Sequence, residues 1–395
     1  MEKLQCKEFV KGFALCKGNS KMFRAFRLEI EEIKNSFFLF SLLTWVPLVS
    51  FILAISIFHQ GVARNLPISI VDNDRSNLSR QIIMQIKANP SLHVSQIFQD
   101  SKQAAKNIKE GQTYATVYIP NHFERDVLQK KQPLISAFVN TQYLLIGKMI
   151  NSALSTTISQ SSAKIDFVSN LKTNGQQETA LNATAPIKTQ ITPFFNTYQN
   201  YFLFLVSAIL PTILQILVVV SIILSFGKSF KEKKQNVFFK KGNILAPLIG
   251  KTLPYTIVSF TWGVVYLLYM YGVEPWEFQG SFALVFFAMF LMILAYQGVG
   301  LSFFTLNFHT TRALSLAALY TAPAFAFLGI TFPASSMPEF AFFWHNILPV
   351  SHYLKLQISQ ASYGSSALDM LPLLINLLYF LPLWVFVYFK IWRVL

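Results

Sequence analysis

The sequence predicts an α-helical membrane protein with six transmembrane helices and one inserted α/β domain. Of its 395 residues, 53% are hydrophobic and only 13% are charged, whereas soluble proteins carry about 25% charged residues. The run FLFLVSAILPTILQILVVVSIILSF (202–226) contains no charge and is long enough to cross a hydrocarbon core of about 30 Å. A lysine-rich loop, 227–251, follows it directly. Together these observations indicate the class and the orientation of the chain.

The loop 227–251 sets the orientation. It carries seven lysines against a single acid, Glu232, and such loops remain on the cytoplasmic side of a membrane. With six spans, both termini are then expected in the cytoplasm. Topology accounts for most of the net charge of +15, and the sequence has no basic and aromatic nucleic-acid module. Cys6 and Cys16 lie on the same side, where thiols stay reduced, and their spacing matches no zinc site.

Residues 1–36 form the polar cytoplasmic tail. Phe23, Phe26, Ile30 and Ile33 recur at helical spacing among charged residues and give one apolar stripe. This stripe predicts an amphipathic helix that lies in the inner membrane interface. The alternative is a short connector before the first span.

The first span, 37–58, leads into a domain outside the membrane, 59–200. The polar segment before the span is too long for a usual cleaved signal peptide, so the span is expected to remain as an anchor. Four strands alternate with four helices in 59–200, which predicts a compact α/β domain with partly parallel pairing. Ser76 and Asn121 are predicted helix N-caps, and a polar linker follows the long fourth helix at 172–192.

A five-helix transmembrane domain, 201–395, completes the chain. After the span at 202–226 come four further predicted spans: 252–273, 282–306, 313–332 and 371–389. The connection 333–370 is predicted outside. Its dense aromatic residues beside polar ones predict short helices in the outer interface. Within this segment, the residues expected at the outer interface are Phe340, Phe343 and Trp344.

The six predicted spans contain no Asp, Glu, Lys, Arg or His. A charge at the bilayer centre costs about 2.5–3.5 kcal/mol, so it is found where ion or proton coupling requires it. The energy source is therefore expected to lie outside the spans. The polar positions Gln215, Thr256, Ser259 and Gln297 are either hydrogen-bond partners between helices or part of a substrate path.

Catalysis and cofactor binding by this chain are not expected. Gly250-Lys251-Thr252 matches the end of a phosphate-binding loop, but Leu245 occupies the position of the first glycine and a span follows directly. ATP and Mg would therefore bind a separate subunit. His345 and His352 are interpreted as satisfied interface histidines rather than metal ligands, because no third ligand is evident.

The chain resembles the membrane permease subunits of bacterial ABC exporters with type-2 membrane domains. The resemblance is to the branch that has a large periplasmic domain after the first span. Five stretches carry it in order: LPISIVDNDRSNLSR (66–80), GQTYATVYIPNHFERDV (111–127), NTYQNYFLFLVSAILPTILQ (196–215), GKTLPY (250–255) and GITFPASSMPEF (329–340).

The resemblance implies a pair of six-span permeases in a bacterial inner membrane. A cytoplasmic ATP-binding subunit is expected to dock on the loop 227–242, with lysines meeting acidic groups and two phenylalanines filling a groove. The positions implied are Lys231, Glu232, Lys233, Lys234, Phe238 and Phe239. A periplasmic adaptor, and in some systems an outer-membrane channel, is expected to contact 59–200.

The leading hypothesis is export of a hydrophobic or amphipathic substrate, drug-like or lipid-like, driven by the ATPase partner. Two other functions stay open. One is a secondary transporter driven by an ion gradient, and the other is a receptor or scaffold whose outside domain binds a ligand.

Overall fold

The computed structural model describes residues 16–58, 64–129, 131, 133–140, 144–174, 200, 202–232, 238–239, 243–273, 278–330 and 332–395. The chain divides into two compact units. One joins Met1–Gly61 to Phe195–Leu395, and the other is Val62–Phe194.

The N-terminal segment consists of three helices, and strands and helices then alternate in the inserted unit. In chain order they are α1 (Cys16–Lys34), α2 (Phe37–Leu43), α3 (Trp45–Phe58), β1 (Leu66–Asp72), α4 (Asn77–Ala88), β2 (Leu92–Phe98), α5 (Ser101–Lys109), β3 (Ala115–Ile119), α6 (Phe123–Leu128), β4 (Ser136–Val139) and α7 (Leu144–Asn174).

The rest of the described chain is helical. A π-helical turn, Phe202–Val206, precedes α8 (Ser207–Lys231), and a second, Tyr269–Val273, follows α9 (Leu245–Leu268). The remaining helices are α10 (Phe282–Asn307), α11 (Thr310–Thr321), α12 (Ala324–Phe327), α13 (Glu339–Ile347), α14 (Pro349–Tyr363), α15 (Ala367–Leu378) and α16 (Pro382–Val394).

Five stretches among the described residues are long and apolar enough to cross a membrane. They are Phe37–Phe58, Phe202–Lys231, Leu245–Val273, Phe282–Asn307 and Ala367–Val394, and each overlaps a predicted span. The first is interrupted at Thr44 and the last between Tyr379 and Leu381.

The predicted span 313–332 does not form one long helix. It is divided into α11 and α12 by a turn at Ala322 and Pro323. Pro323 has no backbone N–H to continue the helix, and Gly329 adopts a φ of +84° that ends it. With 12 residues, α11 is about 18 Å long, which is shorter than a hydrocarbon core.

Helix α10 lies at the centre of the first unit, where it contacts α8, α9, α11, α14, α15 and α16. Its sequence is apolar on all sides, which is typical of a buried helix. Small residues bring its neighbours close. A Cβ on Gly300 would lie 2.8 Å from the Ile222 Cγ2 and 3.2 Å from the Val219 carbonyl oxygen, so α8 and α10 cross in near backbone contact.

The inserted unit contains a four-stranded sheet in the order β2-β1-β3-β4. β1 is parallel to both β2 and β3, and β3 is antiparallel to β4, as the prediction of partly parallel pairing required. The buried side chains of Ile68 and Ile70 on β1 pack with Ile82 and Ile86 on α4. Alternating β-branched residues and helical spacing thus produce one apolar core.

Two helix starts in this unit differ in how they are capped. The Ser76 hydroxyl oxygen accepts the Ser79 N–H at 3.1 Å, which confirms the predicted N-cap. Asn121 is not a cap. The residue before α6 is His122 in a left-handed conformation, without a side-chain cap. The Asp74 carboxylate at the end of β1 instead accepts the first two N–H groups of α6, at 3.0 and 2.9 Å.

Candidate functional site

The loop after α8 has exposed residues at its start and buried residues further on. Lys231 and Glu232 are exposed at the end of α8, while Lys233 and Lys234 lie outside the described residues. Phe238 and Phe239 are 6% and 1% exposed. The loop is therefore attached to the helix bundle by its aromatic residues.

Phe238 and Phe239 pack inside the chain, against the end of α8 and the start of α9. The Phe239 ring centre lies 6.1 Å from that of Phe226, and the Lys251 ammonium lies 4.2 Å from the centre of the Phe238 ring. Both rings are therefore covered by the chain in this conformation, whereas the expected contact with a groove on an ATPase needs them exposed. Their packing holds positions 238 and 239 against the helix bundle.

A buried charge centre forms where α1 meets α8 and α9. The Glu29 carboxylate is fully buried. It accepts the Ser225 hydroxyl at 2.6 Å, the Tyr255 hydroxyl at 2.7 Å, and the Lys251 ammonium. Buried charges require such pairing, since an isolated charge in an apolar interior is very costly. Every group in this set has a partner of the correct kind.

A second acid extends the centre. Glu32 lies one helical turn after Glu29, and its Oε2 is 3.7 Å from the Lys251 ammonium. The Ser229 hydroxyl donates to the same Glu32 oxygen at 3.4 Å. The Lys251 ammonium thus contacts two acids and also lies 5.3 and 4.2 Å from the ring centres of Phe226 and Phe238.

Small residues allow α1 to approach α9 closely enough for this pairing. Ala25, four residues before Glu29, is buried. A Cβ on Gly250 would lie 2.3 Å from the Met22 carbonyl oxygen and 3.1 Å from the Ala25 Cβ. The two helices therefore touch through a glycine and an alanine, and the next residue of α9, Lys251, reaches Glu29.

The charge centre could not be recognised from the predicted spans, because the start of α9 was placed too late. The prediction placed Lys251 in the loop before a span at 252, whereas α9 begins at Leu245 and the candidate span covers Leu245–Val273. Lys251 therefore lies within an apolar stretch rather than before it, and the longer stretches also include Lys228, Lys231, Lys390 and Arg393 near their ends. The signal available was the apolar run LAPLIG before the lysine, which continues the helix backward.

The face of α1 that packs on the bundle also differs from the predicted apolar stripe. Ala25 and Glu29 are buried, while Phe23 is 61% exposed and Phe26 and Ile30 are half-buried. The helix is present and amphipathic as predicted. Its contact with α9 uses a face that contains a charged residue.

The polar span residues divide into a paired set and an unpaired one. The Gln297 amide donates to the Thr256 Oγ1 at 2.9 Å, and the Thr256 hydroxyl is 3.1 Å from the Gln297 Oε1, so these two link α9 to α10. Ser259 is buried. Gln215 is fully buried, and both its amide atoms lack a hydrogen-bond partner among the described residues.

A small cavity lies near the other end of α8, between α8, α9, α10 and α14. Its volume is about 20 Å³, which is room for about one water molecule. Pro211 has no N–H for the Ser207 carbonyl, and the Gln357 amide lies 3.5 Å from that carbonyl oxygen. The Gln357 Oε1 has no partner in the described chain. The cavity is apolar except at this end.

The segment around α13 is aromatic and partly exposed. Phe340 and Phe343 are 69% and 59% exposed, whereas Trp344 stacks on Phe327 with ring centres 6.2 Å apart. The exposed pair gives α13 one apolar face directed away from the bundle.

His345 and His352 lie between this segment and α14. His345 donates through Nδ1 to the Phe327 carbonyl at 2.8 Å, and His352 donates through Nε2 to the Asn346 carbonyl at 2.9 Å. Burial lowers the pKa of both imidazoles. Both rings are thus hydrogen-bonded to backbone carbonyl groups.

Comparison with known proteins identifies one family. Residues 36–390 match the sequence family described as ABC-2 family transporter protein. The match begins one residue before α2 and ends within α16. Among curated proteins, none matches the chain.

Proposed function

Since this chain belongs to the ABC-2 transporter family, we propose that it is the permease of an ATP-driven exporter. It is a multi-pass membrane protein and the membrane component of an ABC transporter, a role that requires an ATP-binding partner subunit. In the proposal, that partner binds ATP and Mg and performs the hydrolysis. The permease then moves a hydrophobic or amphipathic substrate, drug-like or lipid-like, out across a bacterial inner membrane. The family match over 36–390 is the observation that carries this proposal.

We place both termini in the cytoplasm and assign six crossings. Besides the five long stretches, α11 and α12 with their turn cover Thr310–Phe327. Those residues would extend roughly 27 Å if helical throughout, close to the thickness of a hydrocarbon core. Arg312 at the start of α11 suits a cytoplasmic end. The inserted unit Val62–Phe194 then lies in the periplasm, where an adaptor, and through it an outer-membrane channel, would reach it.

We assign the ATPase contact to the exposed part of the loop after α8. Lys231 and Glu232 are accessible, and Lys233 and Lys234 continue the same polar stretch in the sequence. Phe238 and Phe239 act in this proposal as internal anchors rather than as contacts.

A second permease copy or a paralogue completes the transporter in this proposal. In each of the stretches Phe37–Phe58 and Ala367–Val394, only 28% of the most apolar 18-residue segment is buried. Their outer faces are therefore left for lipid and for a partner permease. Gln215, Thr256, Ser259 and Gln297 remain the proposed substrate path, with the unpaired Gln215 as its best candidate.

The test is recruitment of the ATPase to membranes. The ATP-binding subunit of the same transporter is co-expressed with wild-type permease and with a variant that carries Lys231→Glu, Lys233→Glu and Lys234→Glu. The matched control reverses three exposed lysines of the inserted unit, Lys87, Lys102 and Lys109. We expect the loop variant alone to leave the ATPase in the soluble fraction.

Recruitment that survives the loop reversal contradicts the assigned contact, and absence of recruitment by the wild type contradicts the permease assignment. Transport that a protonophore abolishes at constant ATP favours the gradient-driven alternative. A deletion strain that accumulates no substrate favours the receptor or scaffold.

A further inference from the structure

The buried charge centre joins four segments of the chain. Glu29 belongs to α1, Ser225 to α8, Phe238 to the loop that follows α8, and Lys251 and Tyr255 to α9. No other cluster in the described ranges pairs fully buried opposite charges. The loop proposed to contact the ATPase is therefore linked through Phe238 to the ion pair between Lys251 of α9 and Glu29 of α1.

The pair restricts how the helices can move relative to each other. If α1 slips along α9, Glu29 leaves Lys251, and two charges are left unpaired in an apolar interior. Breaking a buried pair in this way is strongly unfavourable, although replacing both members with apolar residues is often neutral. An ion pair of this kind thus fixes register more than it adds stability.

The contact between Gly250 and the Met22 carbonyl also restricts the movement of α1 relative to α9. The helices already touch through backbone atoms at this point, so rotation of α1 brings side chains into collision. The ion pair and the glycine contact are adjacent in sequence and together define one relative position of α1 and α9.

We propose that Glu29 and Lys251 are a positioning pair that makes α1, Phe238 of the loop and the adjoining ends of α8 and α9 move as one body. The inference rests on the proposed function, because the force on the loop is supplied by the ATPase. Phe238 over the Lys251 ammonium is the link on the loop side. Displacement of the loop then carries α1 with it.

The experiment measures the distance between spin labels on α1 and α9. Labels are placed at Phe23 and Thr261, both exposed, in a chain with Cys6→Ser and Cys16→Ser. We compare the wild type with Lys251→Met, the conservative Lys251→Arg and the double variant Glu29→Gln/Lys251→Met. The control is Lys390→Met, since Lys390 also lies over a phenylalanine ring, at 5.6 Å from the centre of Phe386.

The wild type and the control are expected to give one narrow distribution of label-to-label distances (the narrow distance), which does not change when the bound ATPase takes up ATP. Lys251→Met is expected to lose that narrow distance and to lose permease-stimulated ATP turnover, with ATPase recruitment retained. Lys251→Arg restores both. The double variant is expected to recover the thermal stability of the bundle but not the narrow distance. If the pair had only a structural role, the double variant would recover both.

A narrow distance and full stimulation in Lys251→Met overturn the inference, as does a double variant that recovers the narrow distance. The distances measured without ATPase test the pair even if the wild type recruits none. Failure of recruitment therefore counts against the proposed function alone.

Discussion

Replacement of Gln215 by leucine is predicted to stabilise the helix bundle. Leucine is of similar volume, so packing is retained, while two buried amide atoms that have no partner among the described residues are removed. An unsatisfied buried polar group costs about 1–3 kcal/mol in soluble proteins, but a hydrogen bond between membrane helices averages only about 0.6 kcal/mol. We therefore expect a gain of about 1–2 kcal/mol.

The assay follows tryptophan fluorescence during heating in lipid nanodiscs. All six tryptophans lie outside Val62–Phe194, so the signal reports the membrane unit. At about 2–4 °C per kcal/mol for a unit of this size, Gln215→Leu raises Tm by roughly 2–8 °C. The matched control, Gln297→Leu, removes the hydrogen bonds to Thr256 and lowers Tm.

A lower Tm in Gln215→Leu refutes the reasoning, because it means that the amide is satisfied in the folded chain. If Gln215 lies on the substrate path, the same variant loses transport while gaining stability, as expected where function is maintained at the expense of stability. Unchanged transport would remove Gln215 from the proposed path.

Two further predictions concern single contacts. Burial alone would raise the pKa of Asp74, but hydrogen bonds from Ser76 and from the first N–H groups of α6 outweigh it and lower that pKa. The stabilisation from these hydrogen bonds is therefore present above the unfolded-state pKa and is lost as pH falls through the folded-state pKa. Hydrogen exchange of α6 should be faster in Asp74→Ala than in wild type at pH 7, and the difference should vanish in acid; equal exchange at pH 7 contradicts the cap. Gly300→Ala should lower Tm by a few degrees, since overpacking costs about 1–3 kcal/mol. Gly272→Ala should not, because no atom of the described residues lies within 4 Å of the added Cβ; equal Tm values contradict the close crossing.

The elements that were predicted correctly are those determined by residues close together in the sequence. The strand and helix order of the inserted unit follows from β-branched alternation and helical spacing around residues such as Ile70 and Ile82. The five long stretches follow from uninterrupted apolar runs. Such information lies within about 20 residues, so it can be read without knowledge of tertiary contacts.

The sequence is ambiguous where one local signal fits two structures. The run 313–332 has span-like composition, but Pro323 and Gly329 divide it into shorter helices. Phe238 and Phe239 follow a basic loop segment, and an exposed aromatic pair has the same sequence as a buried one. The burial of these two rings depends on Phe226 of α8 and Lys251 of α9, which no local pattern contains.

Glu29 illustrates a limit of another kind. Its neighbours in α1 give the pattern of a surface helix, on which a glutamate is normally solvated. Its burial depends on Lys251 and on the absence of a side chain at Gly250, both far along the chain. No periodicity within α1 contains that information.

The separation of the two charges along the chain has a consequence for biosynthesis. Glu29 precedes Lys251 by 222 residues, so the ribosome delivers the acid first. At about 5–20 residues per second, roughly 10–45 s pass before the lysine is made. During that interval the N-terminal helix has no cation from α9, and the inserted unit is synthesised in between. The first helix therefore docks late, and assembly of the end of the bundle that contains Glu29 waits until the third long stretch has begun to emerge.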